Sequence, residues 1–162
     1  MAETAALDTL ARALRELHRT LMERARSDYE REHLTIVNPG ELLRLLTTDD
    51  AFAWLRELSE LMADLDIVRD AKAEVLGGAS DIIRPALEHI FGTPDAPPAS
   101  RPFAARYWPY VHDDPHVAIA HGAVKQALNA WPRPEQHESE SAAERRRELS
   151  VKARALGRGR QA

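Results

Sequence analysis

With 162 residues, 44% of them hydrophobic and 30% charged, the chain has the size and composition of one soluble globular domain. It contains no cysteine, which excludes disulfides, thiolate zinc sites, iron–sulfur clusters and a cysteine nucleophile. Its net charge of −4 is uneven, because residues 1–131 hold 14 basic and 21 acidic side chains whereas residues 132–162 hold 8 and 5. An acidic body disfavours a nucleic-acid-binding core, since phosphate contacts need a basic face.

The N-terminal sequence has no basic stretch followed by an apolar core, so it does not have the pattern of a signal peptide. No apolar run reaches the roughly 18 residues that a membrane-spanning helix needs. We therefore expect a cytoplasmic protein without membrane insertion.

The first predicted helix runs from about Thr4 to Arg31 and carries leucines at steps of three and four residues, the spacing of a helix–helix seam. Beyond the last of these leucines, polar side chains such as Arg24 and Asp28 take the inward positions. Either this end of the helix leaves the core, which is the commoner case, or it lines a polar pocket. The leucine stripe comprises Leu7, Leu10, Leu14, Leu17 and Leu21.

Residues 33–37 are predicted to form a short extended connection. Asn38 as an N-cap, with Pro39 at the first helical position, then starts a short helix from Glu41 to about Leu46. The second long helix is predicted from about Asp50 to Leu76, and two glycines at 77–78 end it. Its core stripe comprises Trp54, Leu58, Leu61, Leu65 and Val68.

A shorter apolar helix is predicted over 81–91, where Pro85 implies a kink or a late start. Three prolines make 92–100 a loop, and a helix that restarts near Pro102 is expected to bend at Pro109. Asp114 followed by Pro115 is a second N-cap pair, and it opens the last long helix, which extends to about residue 130.

The sequence therefore predicts an all-α fold: a single bundle-type domain over residues 3–131, with three long helices and two or three short ones. Residues 132–162 are polar and rich in arginine, and we expect them to form a disordered tail.

Two histidines interrupt the apolar stripes of long helices. At about 100° per residue, His18 falls inside the leucine arc of the first helix, and His121 falls between Val117 and Val124 on the last. Inward imidazoles on facing helices can build di-iron or haem sites. The alternative is that each ring is a half-buried core residue that bonds a backbone carbonyl or a carboxylate, which is the commoner role of such a histidine. Iron, another transition metal or haem is therefore the alternative to a protein without a cofactor.

A second metal hypothesis starts from Glu30 and His33, which have the Glu-x-x-His spacing of ferritin-like sites but lie at the end of a helix. The chain also resembles hemerythrin-like proteins in its size and histidine content, which implies a helical bundle that holds iron. It departs from that pattern, because His112 and His116 are separated by an Asp-Asp-Pro break and no His-x-x-x-Glu helix accompanies them.

Three large apolar side chains are predicted to point away from the core: Ile67, Trp108 and Ile119. If they cluster, they form a contact patch that favours a protein partner or a homodimer. Arginines of the tail offer a second surface, for an anionic partner, with nucleic acid bound at most weakly there. The first of them are Arg145, Arg146 and Arg147.

The sequence contains no phosphate-binding loop, no dinucleotide-binding glycine motif and no nucleophile elbow. We therefore favour a small non-catalytic cytoplasmic protein that acts through protein–protein contacts, including self-association. A metal- or haem-binding bundle that uses His18 and His121 is the alternative, and tail-mediated binding to an anionic partner is the third hypothesis.

Overall fold

The computed structural model describes residues 2–33, 35, 38–70, 79–92 and 102–130, together with four isolated positions of the tail, and among them it contains helices and no strand. This confirms the predicted all-α class. The described segments hold six α-helices, and a 3₁₀ helix, Asp50–Leu55, separates the second and third of them. The helices are α1 (Ala2–Glu32), α2 (Pro39–Thr48), α3 (Arg56–Asp70), α4 (Ala79–Phe91), α5 (Pro102–Asp113) and α6 (Pro115–Asn129).

Helix α1 is the centre of the packing, because its leucine stripe is fully buried against α6 on one side and α3 on the other. Helix α5 packs against α6, α4 and the 3₁₀ helix, and α4 also contacts α3. Helices α1 and α6 are antiparallel. At one end Arg24 reaches Asp114 at 3.5 Å, and at the other end Thr9 and Ala130 line the same groove.

The two predicted N-caps are confirmed. The Asn38 side chain accepts a hydrogen bond from the Glu41 amide at 2.9 Å, and the Asp114 side chain accepts one from the His116 amide at the same distance. Each cap satisfies an amide that has no partner within its own helix, and Pro39 and Pro115 fix the backbone of the first turn.

The predicted continuous helix over 50–76 is wrong at its start, where residues 50–55 form a 3₁₀ helix. In that geometry residues three apart align, so Phe52 and Leu55 are buried together. The helix proper is described to Asp70, and residues 71–76 lie outside the described residues.

Both internal prolines lie inside continuous helices, Pro85 in α4 and Pro109 in α5. Helix α4 ends at Phe91 and is followed by Gly92, whose φ of 57° is a left-handed conformation that glycine adopts without strain. Within the described residues, no helix combines the length and the hydropathy required to cross a bilayer. The predicted tail lies outside the described residues except for its four isolated positions, which are exposed.

Candidate functional site

His18 closes the contact between α1 and α3. Its Nε2 lies 2.7 Å from the hydroxyl oxygen of Ser59, and that hydroxyl donates to the carbonyl of Leu55 at 3.0 Å. The Ser59 oxygen is therefore the acceptor of the N–H on His18 Nε2. Burial lowers the pKa of His18, so the ring is a neutral imidazole at neutral pH. Its observed role is to link two helices.

His121 belongs to the contact between α5 and α6. Its Nδ1 lies 2.6 Å from the hydroxyl of Tyr107, which is fully buried. Because burial raises the pKa of Tyr107, its hydroxyl stays protonated and donates a hydrogen bond to Nδ1. Burial and the neighbouring Lys125 lower the pKa of His121, so this ring is also neutral and carries its hydrogen on Nε2.

The two imidazoles therefore bond to different helices, His18 to α3 and His121 to α5. Among the residues that the structure describes, no three His, Asp or Glu side chains come close enough to share a metal ion. A metal or haem site that uses the two histidines stays a prediction, and each ring already has a protein partner.

The other predicted metal ligands lie at helix ends. His33 is exposed and stacks on Tyr29 with ring centroids 4.2 Å apart, while Glu30 pairs with Arg26 at 3.1 Å. Helix α5 ends before His116 and α6 begins at Pro115, so His112 and His116 lie on different helices. Both of these side chains are exposed.

A cleft of about 410 Å³ opens between α4, α5 and α6 beside the Tyr107–His121 pair. Trp108 lies along it, half-buried, with its indole N–H donating to the Phe91 carbonyl at 3.0 Å and its ring 5.3 Å from that of His121. The side chains that line the cleft are Glu88, Phe91, Trp108, His121, Val124, Lys125 and Leu128.

The opposite edge of α6 forms a groove of about 830 Å³ with α1. Four alanines line it, and Arg12, Glu16 and Arg19 stand along its α1 side. Ile119 lies one turn before Ala123 on the same edge and is 72% exposed. The alanines are Ala13, Ala123, Ala127 and Ala130.

The structure does not bring the predicted apolar patch together. Ile119 and His121 point about 200° apart around α6, and Trp108 packs against His121, so Trp108 and Ile119 lie on different surfaces. Ile67 is half-buried on α3. Of the predicted tail residues, Arg147 is exposed, whereas Arg145 and Arg146 lie outside the described residues.

At the other end of the bundle, the polar side of α1 stays packed instead of leaving the core. The Tyr110 hydroxyl donates to Asp28 at 2.7 Å, and Arg24 lies 5.6 Å from the centre of the Tyr110 ring. Burial, followed by the bond to Asp28, raises the pKa of Tyr110 to about 12. Polar residues at core positions were visible in the sequence, but their partners on other helices were not.

In comparisons with protein-family models, with curated proteins and with solved structures, nothing matches this chain. Its function is therefore inferred from the geometry of its cleft and its surfaces.

Proposed function

We propose that this chain is a non-catalytic helical protein that acts through protein contacts and pairs with a second copy of itself through α1 and α6. The observation that carries the proposal is a charged stripe on α1. Its four side chains alternate in sign, are all exposed and follow steps of four, three and four residues, which keeps them on one face of the helix. They are Arg12, Glu16, Arg19 and Glu23.

When the stripe is read in reverse, every position has the opposite charge, so the stripe can pair with an antiparallel copy of itself. If two copies of α1 lie antiparallel about a two-fold axis midway between Leu17 and His18, Arg12 of each copy faces Glu23 of the other. In the same arrangement Glu16 faces Arg19. Each opposed pair is thus of opposite charge, which is the requirement of a self-complementary two-fold interface.

The same two-fold axis would also bring a protruding side chain of one α6 against an open position on the α6 of the other copy. Because Arg24 pairs with Asp114 and the two helices are antiparallel, the midpoint of the stripe is about level with residues 120–121, just before Gly122. An antiparallel pair would therefore bring Ile119 of one copy over Gly122 of the other. A Cβ built at Gly122 meets nothing within 4 Å, so there is room for the isoleucine. The result is a four-helix interface that covers this exposed side chain.

Existing ion pairs do not oppose this arrangement strongly. In the single chain Arg19 binds Glu16 and Glu23 along the same helix, and all three side chains are more than half exposed. Exposed pairs of this kind contribute about 0.2–1 kcal/mol at most. Exchanging them for pairs between copies therefore costs little, while burial of Ile119 and of the alanines that line the groove favours association.

Sedimentation equilibrium of charge variants tests the proposal. The wild type is expected to dimerise, whereas Glu16→Arg/Glu23→Arg gives a stripe of one sign and is expected to be monomeric. Reversing all four charges restores the complementary order, so Arg12→Glu/Glu16→Arg/Arg19→Glu/Glu23→Arg is expected to dimerise again.

The matched control is Arg44→Glu/Glu60→Arg, which changes exposed charges on α2 and α3 and is expected to leave association unchanged. A wild type that stays monomeric at millimolar concentration would contradict the proposal. A double variant that dimerises as tightly as the wild type would contradict it equally.

A further inference from the structure

We infer that the cleft between α4, α5 and α6 binds a small carboxylic acid with an apolar body. This goes beyond self-association and concerns the other edge of α6. At about 410 Å³ the cleft falls in the size range of small-molecule sites, roughly 300–1,000 Å³. The inference depends on the chemistry of its walls.

The walls are apolar and held in place. Phe91, Val124 and Leu128 contribute hydrocarbon surface, and Trp108 contributes an aromatic face. The indole of Trp108 cannot rotate freely, because its N–H is bonded to the Phe91 carbonyl at 3.0 Å. Such a preformed apolar cleft spares a ligand the entropic cost of ordering its site.

Apart from the carboxylate of Glu88, the polar side chains that line the cleft offer donors. Tyr107 donates to Nδ1 of His121, which leaves the N–H on Nε2 as the remaining donor of the imidazole. Lys125, one turn farther along α6, adds an ammonium group that forms no ion pair with any residue the structure describes. Two donors, one of them charged, are suited to a carboxylate.

The acidic side chain of the cleft does not cancel this preference. The Glu88 carboxylate accepts a hydrogen bond from Arg84 at 3.0 Å, so its charge is already paired. Lys125 is therefore left as the charge that selects a ligand, and it selects one negative group. A neutral compound of the same shape would fill the apolar part of the cleft without that contribution.

The test compares octanoate with 1-octanol by titration calorimetry and by NMR shifts of the His121 ring, in a buffer free of carboxylates. The wild type is expected to bind octanoate at a single site and about ten-fold more tightly than octanol, in line with one charge-assisted hydrogen bond. Lys125→Gln is expected to bring the two affinities together. Arg106→Gln, an exposed position on α5 outside the cleft lining, is the matched control and is expected to keep the difference.

Leu128→Trp fills the cleft and is expected to abolish binding of both compounds. If that variant does not fold, Lys125→Gln, at an exposed position, still decides the matter. Absence of octanoate binding to the wild type overturns the inference. Equal affinity for octanoate and octanol overturns it as well, and so does a preference for octanoate that survives in Lys125→Gln.

Discussion

The two edges of α6 have opposite characters. Toward α1, alanines allow the helices to approach closely, and the surface is an open groove flanked by charges. Toward α5, the rings of Phe91, Tyr107 and Trp108 pack together with centroids 5.1–5.4 Å apart and hold the helices around a recess. Small side chains between helices therefore go with a groove flanked by charges, and large aromatic ones with a cleft that has apolar walls.

The largest effect, on dimerisation, is expected from a substitution on the edge of α6 that faces α1. Ile119→Asp places a carboxylate at the middle of the proposed interface, where the two copies would repel each other and lose apolar burial. The dimer dissociation constant measured by sedimentation equilibrium is expected to rise at least about ten-fold. Octanoate affinity is expected to stay unchanged, because the cleft lies on the other edge.

Ile119→Leu keeps the apolar volume and serves as the control for that experiment. A dimer that tolerates Ile119→Asp as well as Ile119→Leu would show that this edge is not the contact.

A second variant removes a hydrogen bond between α4 and the end of α6. The Arg84 guanidinium is buried and donates to the carbonyl of Leu128 at 2.7 Å, so Arg84→Met leaves that carbonyl without this donor. The free energy of unfolding in urea is expected to fall by about 1–3 kcal/mol. Octanoate binding is expected to weaken, because Leu128 forms part of the cleft wall.

Arg106→Met, at an exposed position, is the comparison for Arg84→Met and is expected to change stability little. Equal stability of the Arg84 variant and the wild type would mean that the bond to Leu128 does not hold α6 in place.

Two tyrosine-to-phenylalanine substitutions form a matched pair of variants and are expected to have a smaller effect on stability. Tyr107→Phe removes the donor to His121, and Tyr110→Phe removes the donor to Asp28. Each change is expected to lower the free energy of unfolding by about 1–2 kcal/mol. Tyr107→Phe alone is expected to weaken octanoate binding, because the imidazole then loses the bond that fixes its hydrogen on Nε2. An equal loss of affinity in Tyr110→Phe would show that octanoate binding does not depend specifically on the Tyr107–His121 hydrogen bond.

The smallest effect is a dependence of stability on pH. Burial lowers the pKa of His18 below its ordinary value of 6.5, so the unfolded chain binds a proton more readily than the folded chain. Stability should therefore be complete above about pH 6.5 and fall as the pH drops toward the lowered pKa. Urea midpoints at pH 7.5 and 5.5 are expected to differ less in His18→Gln than in the wild type, with His116→Gln as an exposed control. An unchanged difference in His18→Gln would contradict this role for His18.

Patterns within single helices were sufficient to predict the helices, whereas the contacts between helices could not be predicted from the sequence. The leucine stripe of α1 and the caps Asn38 and Asp114 depend on neighbours within four residues, so the sequence was sufficient to predict them. The 3₁₀ start of the helix over 50–76 depends on packing against other helices, which periodicity along one helix does not record.

The candidate sites show the same division. His18 and His121 were visible as polar interruptions of apolar stripes, yet Ser59 and Tyr107 lie 41 and 14 positions away from them, on other helices. Trp108 was expected to point outward, because its own helix has an apolar face on the other side. Its partner Phe91 belongs to α4, which closes the cleft from a direction that the α5 sequence does not reveal.

The most direct test of self-association is sedimentation velocity of two charge variants, measured separately and mixed in equal amounts. One variant, Glu16→Arg/Glu23→Arg, carries a wholly positive stripe, and the other, Arg12→Glu/Arg19→Glu, carries a wholly negative one. We predict two monomers that form a heterodimer when mixed, because every opposed pair is then of opposite sign. A mixture that sediments as monomers under conditions in which the wild type dimerises would contradict the proposed pairing of α1 with its own copy.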